Sequence, residues 1–296
     1  MDGAGLRRAS RRSGANRAGR GRDQPVARRR SRHRLRRGSG SRRGLPLARR
    51  RWPGDPGLAV SRARRGVRHD RLCPRRADLA SGRSLRPDRA VFAGQGFNVL
   101  APNYRGSTGF SRAYQEAIKV EGWGGVEQGD IRAGIEALIA AGIAQRGRVG
   151  ITGTSYGGYS SWCAITRYST DLIAAAAPIC GMTDLVADYE LTRPELRPYS
   201  AEMMGGTPDD VPERFAERSP VHHVANIRGR LLIVQGEQDP NVTPEQVTIV
   251  RQALDAVGIP YEVLLFPDEG HGIHRRPNQR TLLLRLLSFF QQSMRT

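Results

Sequence analysis

Ser155 lies in the run Gly153-Thr154-Ser155-Tyr156-Gly157-Gly158, directly behind an apolar stretch of strand length at residues 148–152 and ahead of a stretch with helical texture. No other feature narrows the fold as far. Glycine two residues before and two after a serine suits a sharp strand-to-helix turn, where the two backbones approach too closely for side chains to stand between them. Such a turn exposes its serine at the carboxyl end of a strand. The surrounding sequence must therefore supply a sheet covered by helices.

From residue 91 onward it does. Residues 97–101 predict a buried strand, and residues 127–141 place Ile131, Ile135, Leu138 and Ile139 at i, i+4, i+7 and i+8, the stripe of a helix packed on a sheet. Apolar runs at 173–179, 231–235 and 261–266 predict further strands, and 243–256 and 278–291 have helical spacing. This alternation implies an α/β fold, a mostly parallel sheet with helices on both faces. Residues 183–221, rich in Pro, Glu and Met, break the alternation and predict a helical excursion over the sheet edge.

Charge separates this region from what precedes it. Residues 1–90 hold 29 Arg, 6 Asp and neither Lys nor Glu, a net of +23; the whole chain carries +20, so residues 91–296 carry −3. The first ninety residues have no helical or strand period and too little apolar surface to offset chain entropy, which predicts disorder. One reading of them is a basic tail that binds polyanions through phosphate contacts. With no Lys and a single Trp, the tail does not point to a specific nucleic-acid partner.

Another reading fits the composition better, because Arg, Gly, Ala and Pro are what GC-rich DNA encodes out of frame. Cys73-Pro74-Arg75-Arg76-Ala77-Asp78-Leu79-Ala80 can be written TGC CCA CGG CGG GCC GAC CTG GCA. One base along, this reads Ala-His-Gly-Gly-Pro-Thr-Trp. Residues 67–72 in the same shifted frame permit Thr-Thr-Val-Phe, a run of strand type leading into it.

The three cysteines, Cys73, Cys163 and Cys180, are too few and odd in number for a disulfide framework, and are expected as small apolar fillers in a reducing compartment. No run approaches the roughly 18 to 20 apolar residues of a membrane span, and the N-terminus has no apolar signal core. A cytoplasmic protein without a membrane partner is expected.

A serine hydroxyl needs a neighbouring imidazole to accept its proton and a carboxylate to orient that imidazole. Asp239 follows one predicted strand and His271 the next, so Ser155, Asp239 and His271 come in the order used by α/β-hydrolases, each in a loop at the same sheet edge. Glu237 competes with Asp239, and His274, His222 and His223 compete with His271. Asp239 sits later in its loop, and His271 is framed by Gly270 and Gly272. The adjacent histidines lack the further ligands a metal site needs, and no cofactor motif is present. The backbone N–H of Tyr156, next after the serine, is the expected oxyanion donor, with a second donor due from an earlier strand-to-helix loop.

These residues resemble the catalytic domain of the prolyl oligopeptidase family, especially its acylaminoacyl-peptidase and dipeptidyl-peptidase-like branch. The likeness rests on Asn103-Tyr104-Arg105-Gly106-Ser107-Thr108-Gly109-Phe110, on residues 153–159, on Gly236-Glu237-Gln238-Asp239, and on Pro267-Asp268-Glu269-Gly270-His271-Gly272. It implies a serine peptidase acting on short peptides through Ser155, Asp239 and His271, without cofactor or metal. It also implies a preceding β-propeller, earlier sheet strands and a His-Gly-Gly-Pro loop. The expected organisation is a disordered segment at 1–90 and an α/β-hydrolase catalytic domain at 91–296, truncated at its N-terminal strands and impaired in turnover. An esterase of the same fold and a non-catalytic polyanion-binding protein are the competing functions. Sequencing the nucleotides across residues 73–90 is expected to reveal a frame disruption relative to intact relatives; an undisturbed frame ends the out-of-frame reading.

Overall fold

The computed structural model describes residues 58–62, 87–169 and 171–294. Six strands form one sheet: β1 (Leu58–Arg62), β2 (Phe97–Leu100), β3 (Val149–Thr154), β4 (Ala175–Ile179), β5 (Arg230–Gly236) and β6 (Glu262–Phe266), in the order β2-β1-β3-β4-β5-β6. The strands from β3 to β6 pair in parallel, while β1 runs antiparallel to both of its neighbours. The helices are α1 (Pro87–Gly94), α2 (Arg112–Glu116), α3 (Val126–Ala140), α4 (Tyr156–Arg167), α5 (Leu185–Leu191), α6 (Arg197–Met204), α7 (Pro212–Arg218), α8 (Glu245–Ala256) and α9 (Arg276–Ser293).

Disorder over residues 1–90 is corrected at two places. Leu58–Arg62 forms a strand, and α1 begins at Pro87, ahead of residue 91. The strand is held by main-chain ladders on both edges, which need no side-chain pattern. The helix opens on proline, whose fixed φ suits a first helical position, and its Phe92 ring meets Phe97 and Phe290 edge-on. The other expectations for residues 1–90, including Cys73 and the out-of-frame stretch, lie outside the described residues.

The period of two along each strand divides the core into two layers. Ala176, Leu231 and Ile233 face one cluster with Ile131 and Ile135 of α3, Tyr159 and Trp162 of α4, and Val250 and Leu254 of α8. Ala175, Ala177, Ile179, Leu232 and Val234 face the other, with Phe92 of α1 and Leu286, Phe289 and Phe290 of α9. This is the two-faced α/β arrangement the sequence predicts, and α5, α6 and α7 are its helical excursion. Among the described residues no helix is long and apolar enough to cross a membrane.

Helix α4 lies so close to the turn after β4 that a Cβ at Gly158 would stand 2.6 Å from Ile179 O and 2.7 Å from Gly181 Cα. Those neighbours are backbone and cannot rotate away. Gly158→Ala is expected to cost about 1–3 kcal/mol, measured as a lower thermal midpoint; an unchanged midpoint contradicts this packing.

Candidate active site

At the end of β3 the chain reverses into α4 through Ser155, which takes φ 62° and ψ −119°. This is one of two non-glycine residues with positive φ among those described, and such backbones persist only where the surroundings over-determine them. Ser155 N donates to Ile179 O at 2.9 Å, and Ser155 O accepts from Tyr159 N at 2.9 Å. A Cβ at Gly153 would lie 2.7 Å from the carbonyl carbon of Gly157, so the turn closes only on glycine.

Asp239 follows β5, and its side chain is fully enclosed. Pro240 has no N–H to offer, and the loop curls so that Asn241 N and Val242 N donate to Asp239 Oδ1 at 2.9 and 3.1 Å. Gln235 Nε2 approaches Oδ2 at 3.4 Å. These donors stabilise a buried carboxylate that would otherwise be costly. Glu237, the competing acid, is exposed.

His271 follows β6 and bridges the other two. Its Nδ1 lies 2.8 Å from Asp239 Oδ2, and its Nε2 lies 2.7 Å from Ser155 Oγ. With the proton on Nδ1 donated to the carboxylate, Nε2 is the acceptor for the serine hydroxyl. Of the competing histidines, the His274 ring approaches the His271 carbonyl and the His223 ring the Glu217 carbonyl. His222 is exposed.

Two loops must meet for this bridge to form. Gln238 N donates to Glu269 O at 2.9 Å, and Glu237 N to Phe266 O at 2.9 Å. A Cβ at Gly236 would stand 2.7 Å from Glu269 O, which explains the small residue there. Glu269 ties the far side of the histidine loop, accepting from His274 N at 3.0 Å, Arg275 N at 2.8 Å and Asn278 Nδ2 at 2.9 Å. Burial pushes its carboxyl up, but these donors outweigh burial and hold it below the ordinary range.

Tyr156 is the first residue of α4, so its N–H belongs to the amides without a partner inside the helix and points where helix dipoles favour negative charge. Its side chain is anchored: the phenol donates to Glu127 Oε1 at 2.9 Å, and the ring packs edge-on to Trp123 and Tyr104. Glu127 is fully buried at the start of α3, where Oε1 also accepts from Gly124 N at 2.6 Å. Burial pushes the Glu127 carboxyl up, against the pull of its donors. The earlier loop expected to give a second oxyanion donor falls at residues 73–80 only in the out-of-frame reading, and that stretch lies outside the described residues.

Arg105 makes a two-pronged pair with Asp130 of α3, at 2.8 and 2.7 Å. The Asn103–Phe110 motif is thereby fixed to the helix that holds Glu127. Cys163 and Cys180 are buried, and burial is the first cause that pushes their thiols up, to about 11 and about 12. They are inert fillers at neutral pH. Glu127, Gln235 and Glu269 are site residues the sequence reading missed. Glu269 alone had a signal, its place two residues before His271.

The fold and this arrangement define an α/β-hydrolase with an imidazole-bridged serine. The sequence pattern of the prolyl oligopeptidase family matches residues 83–296, and the chain belongs to that family. It is 32% identical to dipeptidyl peptidase family member 6 of Caenorhabditis elegans, over 70% of this chain and 28% of that protein. It is 33% identical to dipeptidyl aminopeptidase BIII of Pseudoxanthomonas mexicana, over 64% of this chain and 28% of that protein. The solved structure of a puromycin-hydrolyzing peptidase of Mycobacterium tuberculosis superposes with a TM-score of 0.70 at 31% identity, covering 75% of this chain and 33% of the other. The chain thus spans under a third of the length of the first two relatives.

Because the Glu269 carboxyl lies below its ordinary value of 4.5, its stabilising contribution is complete above that pH and is lost as pH falls through the lower folded-state value. Glu269→Gln is expected to cost about 1.5–3 kcal/mol at neutral pH and to flatten the acid limb of a stability-against-pH curve. An acid limb identical in both proteins contradicts the role given to Glu269.

Proposed function

We propose that the protein hydrolyses short peptides as a serine peptidase, releasing aminoacyl or acylaminoacyl units through an acyl-enzyme on Ser155. One observation carries the reading: the continuous chain of contacts from Ser155 Oγ to His271 Nε2 at 2.7 Å and from His271 Nδ1 to Asp239 Oδ2 at 2.8 Å. His271 Nε2 takes the hydroxyl proton as Oγ attacks the scissile carbonyl carbon. Tyr156 N–H meets the oxyanion, and the Asp239 carboxylate stabilises the imidazolium. Collapse breaks the C–N bond, and His271 gives its proton to the departing amine. A water molecule, losing its proton to the same imidazole, then attacks the acyl carbon, and Ser155 departs with its proton restored.

The names of the relatives support release from the N-terminal end of a peptide. Ser155, Asp239 and His271, which carry the chemistry, all lie within residues 91–296. The sparse cysteines support a cytoplasmic setting. The same constellation suits ester substrates, since fold alone does not select the acyl compound. Polyanion binding by the basic segment is a competing reading, and salt-sensitive DNA binding lost on deleting the residues ahead of β1 would favour it.

Assays on aminoacyl and acylaminoacyl anilides alongside short-chain esters separate the readings. Anilide hydrolysis that vanishes in Ser155→Ala and falls about 10⁴-fold in Asp239→Asn is expected. Hydrolysis confined to esters overturns the peptidase assignment. With Tyr156 N–H as the only oxyanion donor expected among the described residues, turnover is expected about 10²–10³-fold below that of a relative with two oxyanion donors; equal turnover contradicts that shortfall.

A further inference from the structure

One buried carboxyl near this site has an oxygen that no donor among the described residues answers. Helix α5 leaves the carboxyl end of β4, and Leu185, Asp188 and Thr192 share its inward face at 2%, 5% and 4% exposure. Thr192 Oγ1 donates to Asn241 O at 2.8 Å, docking that face on the loop that carries Asp239. The start of the helix is clamped as well, since Gln246 Oε1 accepts from Thr183 N at 2.8 Å and Asp184 N at 2.9 Å. Asp188 is therefore held in place rather than free to swing into solvent.

Its Oδ1 is sealed from solvent and has no hydrogen-bond donor among the described residues. The side-chain carbonyl of Asn241, two residues past Asp239, likewise lacks a donor among the described residues. Burial first, and then the nearby carboxylates of Asp239 and Asp184, push Asp188 up to about 8. A buried carboxyl without a donor lowers stability. Kept at the edge of a reaction site, it fits a group that waits for a ligand.

We infer that Asp188 binds a cationic nitrogen, an ammonium or guanidinium, in the acyl portion of the substrate. This rests on the acyl-transfer reading of Ser155. A cation supplies the donors that Asp188 lacks, offsets the repulsion from Asp239 and Asp184, and lets the carboxyl ionise. A neutral acyl portion leaves the same group unanswered, and sites of this kind reject such ligands strongly. Two sources carry the chemistry: a Lys or Arg side chain at the scissile residue, or the free α-ammonium of a peptide N-terminus.

The test follows labelling of Ser155 by a small neutral fluorophosphonate, in competition with three ligands: N-acetyl-lysine amide, alanine amide and N-acetyl-alanine amide. In the unaltered protein one of the two cationic ligands is expected to protect about 10- to 100-fold better than the neutral one. Protection by the acetyl-lysine compound assigns the side chain, and protection by alanine amide assigns the N-terminus. In Asp188→Asn that advantage should shrink to about twofold or less, while the thermal midpoint rises because an unanswered buried carboxyl has gone. Equal protection by all three ligands, or selectivity kept in D188N, overturns the assignment of Asp188 and leaves the acyl-transfer reading standing. A Ser155 that takes no label removes both.

Discussion

The backbone of Ser155, at φ 62° and ψ −119°, is a conformation that residues with side chains avoid, and close backbone packing holds it there. Gly153 lies against Gly157 within the turn, and Gly158 against Gly181 across it. Without side chains at these points, the first turn of α4 can sit on the ends of β3 and β4, and the serine is lifted to the sheet edge. A third contact, Gly236 on the backbone of Glu269 and Gly270, draws the loops after β5 and β6 together. The bridge from Ser155 through His271 to Asp239 depends on all three.

Electrostatics then sorts the carboxyls around that bridge by what answers them. Asp239 and Glu269 each receive several donors, which suits an ionised group in a buried place. Glu127 receives donors on one oxygen, including the Tyr156 phenol, so it secures the residue whose amide is the proposed oxyanion donor. Asp188 Oδ1 receives none among the described residues. The same burial that would destabilise a surplus carboxyl makes an unanswered one selective.

Much of this was legible in the sequence because it is written in periods and order. The apolar runs at 173–179 and 231–235 become strands whose successive side chains divide between two cores, and the stripe of α3 faces one of them. Ser155, Asp239 and His271 are readable because parallel strands deliver their following loops to one edge. Strand β1 was not legible, since main-chain ladders with β2 and β3 hold it, and its arginine-rich setting hides a five-residue run. The roles of Glu127, Gln235 and Asp188 come from partners that tertiary packing alone brings near or withholds. In the linear sequence Asp188 is one acidic residue in a short helix.

The central claim is that three loops converge to make one serine nucleophilic. Mapping the site of a fluorophosphonate adduct by mass spectrometry, in the unaltered protein and in His271→Ala, tests it most directly. A stoichiometric adduct on Ser155 alone, lost when His271 is replaced, is expected. An adduct on another residue, or one on Ser155 that forms equally well without His271, would contradict it.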